Sequence, residues 1–199
     1  MSPTWNYATV LVGLLALTPV CASAAESVYT KLDLENGCVF HSEYELGASA
    51  YCEGHKGYPV HFSEGDLRQM VRFGHIADLG GQWESFGQFN HVNNTIEWRL
   101  LDGKPQATIL RWFIENSDDN GDYTKELEGQ VLVISTVGDH ETPRSCVAGY
   151  VDARANSDAN LIARRVADEV APAFRCGEDI AEFHGERGAT SGDVTRSFD

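Results

Sequence analysis

The chain is short of positive charge and of long apolar runs, and several motifs that would carry chemistry are missing from it. Fifteen lysines and arginines stand against 30 aspartates and glutamates, a formal charge of −15 over 199 residues. A field of that sign repels phosphate backbones and anionic headgroups, so nucleic acid and membrane surfaces are poor partners. No CxxC pair occurs, which argues against a zinc knuckle or a dithiol redox pair. None of the seven histidines has another at i+2 or i+4, the local spacings that let two imidazoles meet one ion. Ser85 lies in QWESFGQ, which lacks the first glycine of a G-x-S-x-G elbow. Carboxylates are too many for any neighbouring pair to single itself out as acid and base. These absences leave no catalytic residue, metal or cofactor to expect.

What is present first is an export signal. The apolar run Ala8 to Leu17 is followed by Pro19 and by Ala22-Ser23-Ala24, the small-residue pattern of a secretory cleavage site, although no Lys or Arg precedes the run. The run is too short for a bilayer, which takes roughly 20 residues. Residues 1–24 are thus read as a signal peptide, with no membrane insertion after cleavage and a periplasmic or secreted location. Val20 before Cys21 is bulkier than a lipidation site tolerates. Four cysteines then remain, Cys38, Cys52, Cys146 and Cys176, an even number in an oxidising compartment. Of the three pairings, Cys38 with Cys52 and Cys146 with Cys176 close the shortest loops; the first is worth about 3 kcal/mol by loop-closure entropy.

Short segments broken by Gly and polar turns, VYTKLDL, CVFHSE, SAYCE and YPVHF, read as antiparallel strands. In TIEWRLLDGKPQATILRWFIE, Ile96, Trp98 and Leu100 alternate with Glu97 and Arg99, and Leu110, Trp112 and Ile114 alternate with Arg111 and Phe113. A five-residue loop from Asp102 to Gln106 would set Trp98 opposite Leu110, Ile96 opposite Trp112 and Glu97 opposite Arg111. QVLVISTV and SCVAGYVDA are further strands. In NSDANLIARRVADEVAPAF the period changes: Leu161, Ile162, Val166 and Val170 recur at helical spacing, Asn156 or Ser157 can cap the start, and Pro172 marks the end.

Residues 64–73 admit two readings. Ser63-x-x-Asp66 with Gly74 at the far end suits a short helix. Leu67, Val71 and Phe73 on a period of two, after YPVHF and with SEGD as a hairpin loop, suit a strand, which is preferred. In neither case do His61 and His75 converge on one ion. The loop NSDDNGDYTKEL has Asn116, Asp118, Asn120 and Gly121 at calcium-loop positions, but Leu127 stands where a bidentate Glu is required. The Gly-rich stretch Ile76 to Asn94 lacks a clear period yet carries Trp83, Phe86, Phe89 and His91. Long structured loops are frequent binding sites, so these four are the candidate binding residues, against the reading that they fold down as a minor core.

GYPVHFSEGDLRQ, FNHVNNTIEWRL, ATILRWFIEN, GQVLVIS, SCVAGYVDA and ANLIARRVADEVAP together resemble a group of small exported bacterial proteins of uncharacterised function. The resemblance covers most of the mature chain, implies a bacterial periplasmic setting, and carries over no activity. The expected fold is α+β: a mainly antiparallel sheet with one long C-terminal helix packed on it and two disulfides, a single domain over residues 25–185, and a flexible tail over 186–199. The expected function is non-catalytic binding of an unknown protein or small-molecule partner. The alternatives are a hydrolase assembled from distant loops and a structural envelope factor.

Overall fold

The computed structural model describes residues 1–2 and 25–198, so the proposed signal peptide and Cys21 lie outside the described residues. Twelve strands follow one another: β1 (Glu26–Lys31), β2 (Cys38–Tyr44), β3 (Gly47–His55), β4 (Tyr58–Gly65), β5 (Arg68–Gly74), β6 (Gln82–Phe86), β7 (Asn90–Leu101), β8 (Lys104–Ile114), β9 (Gly129–Gly138), β10 (Val147–Asp152), β11 (Glu182–Phe183) and β12 (Val194–Phe198). The one α-helix among the described residues, α1 (Ala159–Glu169), falls between β10 and β11. Among the described residues strand takes up 51% and helix 8%, which corrects the α+β expectation to a mostly β fold.

The main sheet runs β1-β7-β8-β9-β5-β4-β3-β2 and curls into a half-barrel. Alternating apolar residues fill its concave side. Trp98, Phe73, Ile96, Leu110 and Val60 are all at most 1% exposed, and Phe86 closes over Trp112 and Tyr150 with ring centroids 5.6 and 5.9 Å away. The interior is packed with side chains, as in small closed barrels.

The helix is 11 residues, not long, and of the expected face Ile162, Val166 and Val170 pack inward while Leu161 does not. Ala159, Ala163, Val166 and Ala167 pack on Ala107, Ile109, Leu132, Ile134 and Val151, while Leu161 is 57% exposed. Small residues win because they let the helix axis approach the sheet: a Cβ on Gly149 of β10 would lie 2.9 Å from Val166. Asn156 does not cap the helix. Its side chain exchanges hydrogen bonds with the backbone of Glu186, 2.7 and 2.9 Å, fastening the C-terminal segment to the end of β10.

Sheet register supplies two further corrections. The β7–β8 hairpin turns on two residues, Asp102-Gly103, with Leu101 opposite Lys104, and a bulge at Arg99/Leu100 then sets Trp98 opposite Thr108 and Ile96 opposite Leu110. Asp-Gly closes a tight left-handed turn that a five-residue loop would waste. Faces are preserved but partners shift by two, so Glu97 does not meet Arg111; it pairs with Arg164 of α1 at 2.6 Å. The stretch 64–73 is strand: β4 continues to Gly65, and β5 begins at Arg68. Residues 194–198, expected in the tail, pair antiparallel with β6 from Val194↔Phe86 to Phe198↔Gln82.

Both disulfides join the cysteines expected, Cys38 with Cys52 across β2 and β3, and Cys146 with Cys176 beyond the helix. Among the described residues, no helix is long and apolar enough to cross a membrane.

Candidate functional site

Three hairpins close on two-residue turns in which both central residues take left-handed backbone. These are Lys56-Gly57 (φ 45° and 86°), Asp66-Leu67 (49° and 58°) and Asp102-Gly103 (52° and 77°). Such turns follow the sheet twist, and glycine is favoured in them because a Cβ strains the left-handed region. Two of the three have glycine second. The β4–β5 turn has Leu67, a bulky residue at a cost of roughly 1–2 kcal/mol, and its side chain is 58% exposed. No packing repays that cost in the free protein, so the residue is held out toward solvent at the fold's expense.

Leu67 belongs to a built surface. The Asp66 N–H donates to the Leu46 carbonyl at 2.7 Å, which sets the β4–β5 turn beside the β2–β3 turn. On the other side the Asn90 N–H donates to the Leu67 carbonyl at 3.0 Å, and the Arg68 Nε–H donates to the Gly87 carbonyl at 2.8 Å. The Arg68 guanidinium lies 4.9 Å over the Phe89 ring. Three chain segments are thus locked side by side at one end of the sheet. They present Tyr44, Leu46, Leu67 and Phe89, each between 39% and 63% exposed. Beside them β2 ends the sheet order, its outer edge unpaired among the described residues, and Val39 and Phe40 are exposed along it. Clustered apolar exposure of this kind marks interaction surfaces, whereas scattered exposed residues do not.

The four candidate binding residues of the 76–94 stretch do not form one site. Phe89 joins the apolar end. Trp83 is half-buried, and the edge of its ring comes near Gly65, where a Cβ would meet it at 3.8 Å. Phe86 is 1% exposed in the core, and His91 is exposed and stacked on Phe113 at 4.9 Å. The stretch itself is organised by β6, whose partner strand lies more than a hundred residues away in the chain. Leu46 and Leu67 escaped the sequence reading, although the contrast of Asp-Leu with Lys-Gly and Asp-Gly was a signal once the hairpins were placed.

A second group of polar residues sits where β5 and β10 share one edge of β9. Glu84 of β6 plugs this seam: its carboxylate accepts the Val147 N–H at 3.0 Å and the Gln82 side-chain amide at 2.8 Å. Burial pushes its pKa up. Gln82 also accepts from Arg72, at 3.3 Å, and lines a cleft of about 580 Å³ with Asp78, Arg144 and Phe198. Glu84 is only 3% exposed, so these bonds hold the sheet together where its ladder splits. In the 116–127 loop, Asp118 accepts the N–H groups of Asn120 and Asp122 at 2.8 and 3.0 Å, and Tyr123, its pKa pushed up to about 12 by its hydrogen bond to Glu128, closes the loop. The Asp118 carboxylate, at a calcium-loop position, thus shapes the turn.

Several histidines pack against other rings. His75 stacks on His140 at 4.0 Å, and His41 packs on Tyr51, which packs edge-on to His61. His61 is buried, and its Nε2 lies 2.8 Å from the Gly74 carbonyl, which can only accept, so Nε2 carries the proton. Nδ1 has no partner. Burial first, and then the positive charge of Arg72, hold the His61 pKa below its ordinary value, opposed by the Gly74 bond. The unfolded chain therefore binds a proton here more readily than the native one. The contribution of His61 is complete above pH about 6.5 and is lost as the pH falls toward its folded pKa. Chemical denaturation across that window is expected to show stability falling with acidification, and His61→Asn is expected to flatten the slope. His55 shifts in the same direction, so part of the slope remains. An unchanged slope in the variant would contradict this assignment.

No protein-family model, curated protein or solved structure matches the chain.

Proposed function

We propose that this is an exported, non-catalytic interaction protein that docks a protein partner on the apolar end formed by Tyr44, Leu46, Leu67 and Phe89. The observation that carries the reading is Leu67, an exposed leucine in a left-handed turn position that its two sister turns give to glycine. Strain without a folding benefit is a mark of function. The two disulfides favour an oxidising compartment, periplasmic or extracellular, as the working location. The packed half-barrel supplies a rigid mount, so the surface is preformed and little ordering is needed on binding.

Site-specific photo-crosslinking in the exporting cell tests this reading. A photoreactive residue replaces Leu46 or, as controls of similar exposure on other faces, Leu161 or Ile180. The expected result is one protein adduct from position 46 and none from the controls. Equal adducts from all three positions, or adducts from the controls alone, would remove the apolar end from consideration. A steady absence of adducts with turnover of an ester or glycoside substrate would shift the weight to the hydrolase reading and the cleft beside Gln82.

A further inference from the structure

Taking the apolar end as the docking surface, on which this inference rests, we infer that the partner binds as an extended, cationic segment added as a strand to the open edge of β2. An antiparallel edge strand directs the N–H and C=O of every other residue outward, and β2 is the last strand of the sheet order on its side. Every residue from Val39 to Leu46 is exposed, so none of the described residues covers that edge. Main-chain pairing along such an edge gives affinity, and the side chains on alternate positions give selectivity.

Charge selects the occupant. From Leu32 to Gly54 the chain holds Asp33, Glu35, Glu43, Glu45 and Glu53 and no Lys or Arg. All five acids are exposed. A second copy of this chain is disfavoured as the added strand, because it would bring five more acids to the same edge and a second charge of −15 behind them. A bulge at His41, between Phe40 and Ser42 in the pairing with β3, further blunts the edge against indiscriminate sheet growth. The segment that fits is short and alternates cationic with apolar side chains. Its apolar residues would meet Val39 and Tyr44 on one face of the sheet, and its cations Glu43 on the other, with Glu45 in the turn just beyond. The disulfide between Cys38 and Cys52 ties β2 to β3 at one end, so the edge strand cannot peel away when the other end is loaded.

The test uses the mature protein and three synthetic probes: a short peptide alternating lysine and valine, the same peptide N-methylated on alternate backbone nitrogens along its pairing edge, and a glutamate–valine counterpart. Binding is followed by amide chemical shifts and hydrogen exchange. The lysine peptide is expected to slow exchange of β2 amides between Val39 and Tyr44. N-methylation is expected to weaken it at least tenfold, the double variant Glu43→Lys/Glu45→Lys to do the same, and the glutamate peptide not to bind. If the N-methylated peptide binds as well as its parent, or if shifts are confined to Leu46, Leu67 and Phe89 without protection of β2, strand addition is wrong while the docking surface stands. If no lysine peptide binds although Leu46 still crosslinks to a partner, the cationic-strand inference also fails. Loss of both the crosslink and the peptide points instead to failure of the underlying reading.

Discussion

Phe86→Ala is expected to cost the fold about 3 to 5 kcal/mol, as for buried aromatics in general. The ring is 1% exposed and lies against Trp112 and Tyr150 on the concave side of the sheet. It comes from β6, which is outside the main sheet and spans the seam where β5 diverges from β10. Removing it empties space that neither neighbouring strand can close, since Glu84 and Ser85 hold the β6 backbone in place through Val147 and Gln69. Trp83→Ala, by contrast, truncates a half-buried ring beside the docking end and is expected to cost less than half as much. Denaturant melts of both variants measure this, and a Phe86→Ala midpoint equal to wild type would mean that the ring is not part of the core.

The second large effect is at the longer disulfide. Cys146 and Cys176 are 30 residues apart, and loop closure over that span is worth between about 3 and 4 kcal/mol. The bond holds the start of β10 to the segment leaving the helix, so without it α1 and its following turn keep only their contacts with β7, β8, β9 and β10. Replacing both cysteines by alanine should therefore lower the melting temperature by about 10 °C in a domain of this size. Replacing Cys38 and Cys52 shortens no packing contact of the helix and should leave its amides protected. Hydrogen exchange separates the two cases: loss of helix protection only in the first double variant is expected, and equal loss in both would contradict this division.

Much of the fold was legible because strands and disulfides are local facts. Alternation located β3, β4, β7, β8 and β9 to within a few residues, and short loops paired the cysteines. Three features were not legible for physical reasons. The helix buries alanines, which carry little hydrophobic contrast, so the pattern missed Ala159, Ala163 and Ala167 and wrongly turned Leu161 inward. The β7–β8 register depended on a bulge, which leaves the period of each strand intact on either side and so makes no mark in the sequence. β6 is five residues long and gains its pairing from 194–198, a segment with too few apolar residues to announce a strand. The docking end was only partly readable. Phe89 was among the residues singled out, but the significance of Leu67 depends on a backbone angle that exists only once the turn is placed.

Leu67→Gly tests the central claim most directly, because the two readings give it opposite signs. Glycine relieves the left-handed strain of roughly 1–2 kcal/mol and gives back part of it as chain entropy. The free variant should thus melt at or slightly above the wild-type temperature. If Leu67 is kept for a partner, crosslinking from position 46 should drop with an affinity loss of about thirtyfold, the effect of removing an anchor worth roughly 2 kcal/mol. Stability unchanged or raised with crosslinking lost is the result the account predicts. Stability lowered with crosslinking intact would show that Leu67 serves the fold, and would contradict it.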